Sequence, residues 1–357
     1  MSFEADIRQK ARDLGFDAVG ITTAEPINAA HAAYFRQWLA EGCAGDMAYL
    51  HRNIEKRFDP AQLLPGAKSV ICVALNYRPA KNDLPENPPI RIARFAQYDD
   101  YHTFMKDRLF RLAEFIETEA RSGSAGMERP CDERIARGKR IVSLPLHASV
   151  SKTIRFKACV DSVPIAERAL AQRAGLGFIG RNHMLIHPEL GNQILLGELI
   201  TTLELTPDEP LENHSCGDCC RCIRACPTGA LGFDGSFDAR KCISYLTIEA
   251  GTAGVTSAME RGLPARAKHS AGKMPAFLLC DRDGRAPSLF GCDECILACP
   301  HELGKPPRQN MDFQHHPEWQ ELTPEQIQSM TEDDFQITFA GSAFLRLGLE
   351  RLKQNLP

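Results

Sequence analysis

Long apolar runs are missing from this 357-residue chain. It contains no stretch of about 18 apolar residues, which excludes an ordinary transmembrane helix and any membrane partner that one would imply. Its opening, Met1 to Asp6, has neither a basic segment followed by an apolar core nor a twin-arginine pair, so no secretory leader is expected. Excess positive charge is lacking too. The formal net charge is −4, and a field of that sign does not announce a nucleic-acid binder. No internal repeat is evident apart from two short cysteine motifs. With 43% hydrophobic and 25% charged residues, the composition is that of a soluble globular protein. The length suits two or three domains.

Cysteine is what the chain has in plenty, with 14 residues. Cys216, Cys219, Cys222 and Cys226, followed by Pro227, have the spacing C-x2-C-x2-C-x3-C-P. A partial copy follows at Cys292, Cys295 and Cys299, with Pro300 after it. This is the bacterial ferredoxin signature, in which three cysteines wrap one 4Fe-4S cluster and the cysteine before proline reaches to the other. Cys216, Cys219 and Cys222 would then hold one cluster, with Cys299 crossing over. Cys226, Cys292 and Cys295 would hold the second, with Cys242 the best candidate for its last ligand. Cys220 has no assigned role. Zinc and disulfides are the competing readings. Zinc usually takes two CxxC pairs rather than this spacing, and thiolate-bound clusters suit a reducing, cytoplasmic setting.

Several elements are legible along the chain. Ser69 to Leu75 is a continuous apolar, β-branched run and predicts a strand buried on both faces. Asp100 to Ala120 predicts an amphipathic helix with Phe104, Leu109, Leu112 and Ile116 on its apolar side. Phe156 to Val160 predicts a strand ending at Asp161, and Ile165 to Ala174 a helix. Residues 121–153 read as an exposed insertion, and Cys131 to Lys157 holds seven Lys or Arg against two acids. That stretch is a solvated loop or a phosphate-contacting edge. Gly175, Gly177 and Gly180 spell GxGxxG, but a helix precedes them and a strand follows, which is the wrong context for a dinucleotide site. Close backbone approach to something large is the expected use of these glycines. Ala250 to Leu289 should be irregular. A last helix is expected over Ser342 to Gln354.

Many blocks together resemble the epoxyqueuosine reductase family. They include Gly15 to Ile21, Glu55-Lys56-Arg57, Leu64 to Val70, Asp100-Tyr101-His102 and Val160 to Pro164. Glu167 to Ala171, Ala174 to Asn182, Cys242 to Thr247, Gly291-Cys292-Asp293 and Phe339 to Ser342 continue the series. The chain departs from the family pattern after the last cluster cysteine. Relatives read Cys-Pro-Trp-Asn or Cys-Pro-Leu-Asn, whereas here His301 and Glu302 follow Pro300.

The resemblance implies an α+β protein. A nitroreductase-like, cobalamin-binding α/β domain (1–205) would carry a ferredoxin-like domain with two 4Fe-4S clusters (206–305). The C-terminal segment (306–357) would pack back. The implied activity is reduction of epoxyqueuosine to queuosine at the tRNA wobble position by cob(I)alamin, reduced through the clusters. The alternative is a cobalamin and iron–sulfur reductase of another small organic substrate, such as a reductive dehalogenase-like enzyme. Asp161 maps to the family's proton donor. By its residues alone it reads as the N-cap of the following helix, while a carboxyl at a strand end in partly apolar surroundings would have a raised pKa. Arg57, Ser244 and Asp293 map to cobalamin contacts, and Leu185 and Leu196 to the corrin face. No Asp-x-His-x-x-Gly motif occurs, so no protein imidazole ligand to cobalt is expected. Ser342, Arg346, Arg351 and Lys353 are the candidate tRNA contacts. A cytoplasmic monomer fed by a flavodoxin- or ferredoxin-type donor is expected.

Overall fold

The computed structural model describes residues 2–122, 154–250 and 287–356. Nearly all of the expected insertion at 121–153, most of the basic stretch and most of the expected irregular stretch at 250–289 therefore lie outside the described residues.

The apolar run becomes the centre of the molecule. Strands β1 (Ala18–Thr23), β2 (Ser69–Asn76), β4 (Phe156–Cys159) and β7 (Ile194–Thr201) form one sheet in the order β1-β2-β7-β4. Every pairing in it is antiparallel, and all eight residues of β2 are buried. Such a strand needs cover on both faces, and helices supply it. Helices α1 (Phe3–Asp13) and α5 (Tyr101–Ser122) bury Ile7, Leu109 and Leu112 against Ile71, Val73 and Leu199 on one face. Helices α2 (Ala29–Ala40), α3 (Ile54–Phe58), α4 (Pro60–Leu63) and α6 (Glu167–Arg173) cover the other. There Leu170 and Ala171 pack on Val70, Cys72 and Ile200.

Short strands complete the frame: β3 (Arg91–Ile92), β5 (Phe178–Ile179), β6 (Leu185–Ile186) and β8 (Ser288–Phe290). The glycine-rich turn leads into the β5–β6 hairpin. A Cβ on Gly177 would stand 2.4 Å from the Ile186 carbonyl oxygen. The large neighbour expected there is thus the chain's own backbone. Strands β3 and β8 pair in parallel, tying the first half of the chain to the cysteine-bearing half. Around them Ile90, Phe290, Trp319, Phe339, Phe344 and Leu352 make a third core. Most of the C-terminal segment therefore packs on this junction, while Phe313 joins the core on the α1/α5 face of the main sheet. The expected helix over Ser342 to Gln354 is two pieces, Phe344–Leu347 and Leu349–Gln354. Gly348 divides them with φ 80°, a conformation natural to glycine and unavailable inside a helix.

The break in family pattern at Glu302 has a structural counterpart. Glu302 is buried and forms an ion pair with Arg78. Its carboxylate also accepts from the Gln193 side chain at 2.6 Å and from the Asn192 backbone N–H. Gly191 is required here, because a Cβ would lie 2.3 Å from the Glu302 carboxylate. This contact clamps the last cysteine loop to the ends of the two central strands of the sheet. Glu302→Ala should cost about 3–5 kcal/mol, since it takes the carboxylate away from a largely buried guanidinium and from Gln193. Chemical unfolding of the cluster-loaded protein measures it, and an unchanged midpoint would mean the clamp adds nothing.

Candidate functional site

The eight motif cysteines fall into two sets in space. Cys216, Cys219, Cys222 and Cys299 line one small cleft beside Arg181, Pro300 and His301. Cys226, Cys242, Cys292 and Cys295 line a much larger cavity. Burial raises the Cys222 thiol, and the nearby sulfurs of Cys216, Cys299 and Cys219 raise it further. Burial likewise raises Cys295, with Cys292, Cys242 and Cys226 as its sulfur neighbours. Four thiols that oppose one another's ionisation become thiolates together only around a cationic centre. The donor chemistry therefore fits two clusters. The Arg181 backbone N–H lies 3.4 Å from Cys216 Sγ, and that of Ala230 lies 3.3 Å from Cys226 Sγ. Hydrogen bonds of this kind tune a cluster's potential. Cys220 lines neither cavity and packs against the cluster of Cys222, Ile223 and Leu231.

The larger cavity measures about 1620 Å³. Sites for drug-sized ligands run about 300–1,000 Å³, so this one suits a bulky cofactor with room beside it. Arg57, Asp161, Ser244 and Asp293 all line it. Buried at this site without a hydrogen-bond partner among the described residues are Arg57 Nε, His183 Nε2 and Asp293 Oδ1. Unpartnered buried polar atoms are costly unless a ligand completes them. They match a large molecule edged with amides and a phosphate. Asp293 is oriented by the Arg94 backbone N–H, which donates to its Oδ2 at 2.7 Å. The Arg57 guanidinium stacks 5.3 Å from the Phe35 ring centre.

Leu185 and Leu196 are not brought to this cavity. Both pack in the core between the sheet and α6. Only the start of β7 reaches the rim, so Ile194 and Leu195 line the cavity, with Ile179 from β5.

Asp161 follows β4 in the left-handed region at φ 43°, a conformation that aspartate tolerates better than most residues. It does not cap α6: the N-cap there is Ala166, with no side-chain bond. Instead the Asp161 backbone N–H donates to Glu167 Oε1 at 2.6 Å. Its Oδ2 accepts from the Tyr101 hydroxyl at 3.0 Å and lies 3.4 Å from His102 Nε2. The other imidazole nitrogen, Nδ1, is 2.7 Å from Asp100 Oδ1. This arrangement reverses the sequence expectation of a raised carboxyl. The bond to His102 holds Asp161 below its ordinary value, overcoming burial, and the Tyr101 hydroxyl adds to it. Burial pulls the His102 imidazole down, but its bonds to Asp100 and Asp161 outweigh that and lift it to about 9. The proton of the resting pair sits on His102.

A second cavity, of about 710 Å³, adjoins the first and shares Asp100, Tyr101, His102, Asp161 and Arg346 with it. Asp161 thus stands where a large space meets a smaller one. Arg346 is exposed and pairs with Glu249 at 2.7 Å. The other candidate tRNA contacts are engaged within the fold. Ser342 is buried and donates its hydroxyl to Phe339 at 2.6 Å. The Arg351 guanidinium donates to the Leu246 carbonyl, and Lys353 Nζ to that of Met330 at 2.8 Å. Tyr101, His102, Glu167 and His183 were not singled out from sequence, although the first three lie within blocks that carry the resemblance.

Sheet, cavity and paired thiol sets define an iron–sulfur oxidoreductase with a cofactor-sized chamber between its clusters and an acid. Residues 57–131 match the family model described as "Epoxyqueuosine reductase QueG, DUF1730". Residues 215–271 match a 4Fe-4S double cluster binding domain. The chain is 34% identical over 355 residues to an epoxyqueuosine reductase of Gloeobacter violaceus, covering 98% of this chain and 93% of that one. It is 32% identical to that of Vibrio cholerae, over 98% of this chain and 80% of the relative. Among solved structures, the epoxyqueuosine reductase of Streptococcus thermophilus superposes with a TM-score of 0.76 at 28% identity, over 100% of this chain and 80% of that one. A crystal structure of epoxyqueuosine reductase with an epoxyqueuosine-modified tRNA-Tyr stem loop gives 0.75 at 26% identity, over 99% and 79%. The chain belongs to the epoxyqueuosine reductase family.

Proposed function

We propose that this protein reduces epoxyqueuosine to queuosine in tRNA. One observation carries the reading: the Cys226, Cys242, Cys292 and Cys295 set and Asp161 line the same chamber. Electrons leaving that cluster enter the space in which an acid waits. Cobalamin is the cofactor that the family likeness implies; Arg57, His183, Ser244 and Asp293 would hold it, and it would supply a strongly reducing, nucleophilic metal centre. The modified nucleoside would enter through the smaller cavity, so that its epoxide meets Asp161. Arg346, at the rim of both cavities, is the candidate phosphate contact, and such contacts make binding salt-sensitive.

Removing the epoxide oxygen as water breaks two C–O bonds, forms a C=C bond, and consumes two electrons and two protons. The clusters deliver the electrons. Asp161 donates to the leaving oxygen, with His102 holding the proton in reserve. Filling the chamber displaces water from around Asp161, which raises its affinity for that proton. A flavodoxin- or ferredoxin-type donor would reduce the clusters of a cytoplasmic monomer. No helix among the described residues is long and apolar enough to cross a membrane.

The test uses protein loaded with iron, sulfide and cobalamin, a chemical reductant, and tRNA carrying epoxyqueuosine. Nucleoside analysis should show queuosine replacing the epoxide. Unaltered epoxyqueuosine with every cofactor bound would sink the reading and favour another small substrate.

A further inference from the structure

Asp161 accounts for one of the two protons. We propose that Glu167, backed by the buried acid Glu198, is the second proton-carrying acid of this site.

Glu167 opens α6 and lines the large cavity. Its Oε1 takes the Asp161 backbone N–H at 2.6 Å. One carboxylate oxygen therefore pins the left-handed turn while the other is left to hold a proton. Beneath it, Glu198 lies on β7 in direct register with Cys72 of β2 and Cys159 of β4. It is 0% exposed, and neither carboxyl oxygen has a hydrogen-bond partner among the described residues. A hydrophobic residue would fill that place without the cost of burying an acid. The charged neighbours acting on Glu198 are Glu167 and then Asp161, both acids. Burial, and then that company, raise the Glu198 carboxyl well above its ordinary value.

The same forces act on Glu167. Burial raises its carboxyl, the Asp161 charge raises it further, and it stands at about 7. The Asp161 backbone bond, Arg168 and His102 oppose the rise. Arg57 also faces it, and Tyr101, Cys72 and Cys159 on the flanking elements feel its charge but keep their own protons. An acid near neutrality at the wall of a reaction chamber is well matched to giving a proton and regaining it. Per turnover, the first proton reaches the epoxide oxygen from Asp161 and the second from Glu167. The two electrons arrive through the clusters, and the oxygen departs as water.

This inference rests on the reductase reading, and its first test does not. Infrared titration of the cluster-loaded protein, without cobalamin or tRNA, should show a carboxylic C=O band that titrates near neutral pH and disappears in Glu167→Gln. A second band should persist to high pH and disappear in Glu198→Gln. Glutamine at 167 still accepts the Asp161 N–H, so the turn is kept and only the proton is lost. In the loaded enzyme Glu167→Gln should lower kcat at least about tenfold, leave KM unchanged, and remove the limb of the pH profile near 7. If no carboxyl band titrates near neutrality, or if Glu167→Gln keeps the wild-type kcat and pH profile, the proposal is overturned. The bands behaving as described in a protein that leaves epoxyqueuosine unaltered would overturn the reductase reading and leave the two acids as proton holders.

Discussion

An Asp161→Asn enzyme should keep both clusters and bind its tRNA, yet lose about 10²–10⁴-fold in turnover, the usual share of a positioned general acid. Asparagine suits this test because it shares the tolerance for the left-handed backbone at φ 43°. It can also accept from Tyr101 through its amide oxygen, so the chamber should hold its shape. What it lacks is an acidic proton to give. Single-turnover nucleoside analysis at saturating tRNA reads the loss, and full turnover would remove Asp161 as the donor. The pH dependence has a definite sign. His102 is raised above its ordinary 6.5 to about 9 by its carboxylate partners. Its ion pair with Asp161 is therefore complete below about 6.5 and is lost as pH rises through about 9. Activity should fall again as pH rises through about 9, above the Glu167 limb near 7, and that upper step should vanish in a His102→Gln variant whose residual rate is low throughout.

Removing a crossing cysteine should abolish one whole cluster. In Cys299→Ala, iron and acid-labile sulfide should drop from about eight to about four per chain, because a cubane left with three thiolates is exposed to loss. Double variants identify the partners. Cys299→Ala with Cys222→Ala strikes one set twice and should still retain about four irons. Cys299→Ala with Cys295→Ala strikes both sets and should leave almost none. The reverse pattern would mean that each motif serves its own cluster without crossing. Electron delivery should fail in Cys299→Ala itself, since the path to the chamber is then cut.

The cysteine spacing was legible because a cluster loop is local. Three ligands within seven residues must wrap one centre whatever the rest of the chain does. Strand β2 was legible for a similar reason, since an unbroken apolar run has few places to go. The corrin-facing leucines were not. Leu196 sits only two residues from Ile194, but depth along β7 decides which side chain reaches the cavity. Nor was the acidity of Asp161 legible. Its strand-end position suggested burial, which raises a carboxyl. The winning effect comes from His102, 59 residues earlier in the chain. Glu302 shows the same limit, for a break in the family pattern reads as a loss until Arg78 and Gln193 are found around it.

The sequence by itself determined the redox class, the ligand set, the buried central strand and the family, because each rests on neighbours in the chain or on many blocks in order. Tertiary structure alone decided where the chamber lies, which side chains reach it, and which acids hold protons. Those properties depend on distances between residues far apart in sequence, and on the desolvation and charge that burial brings to them.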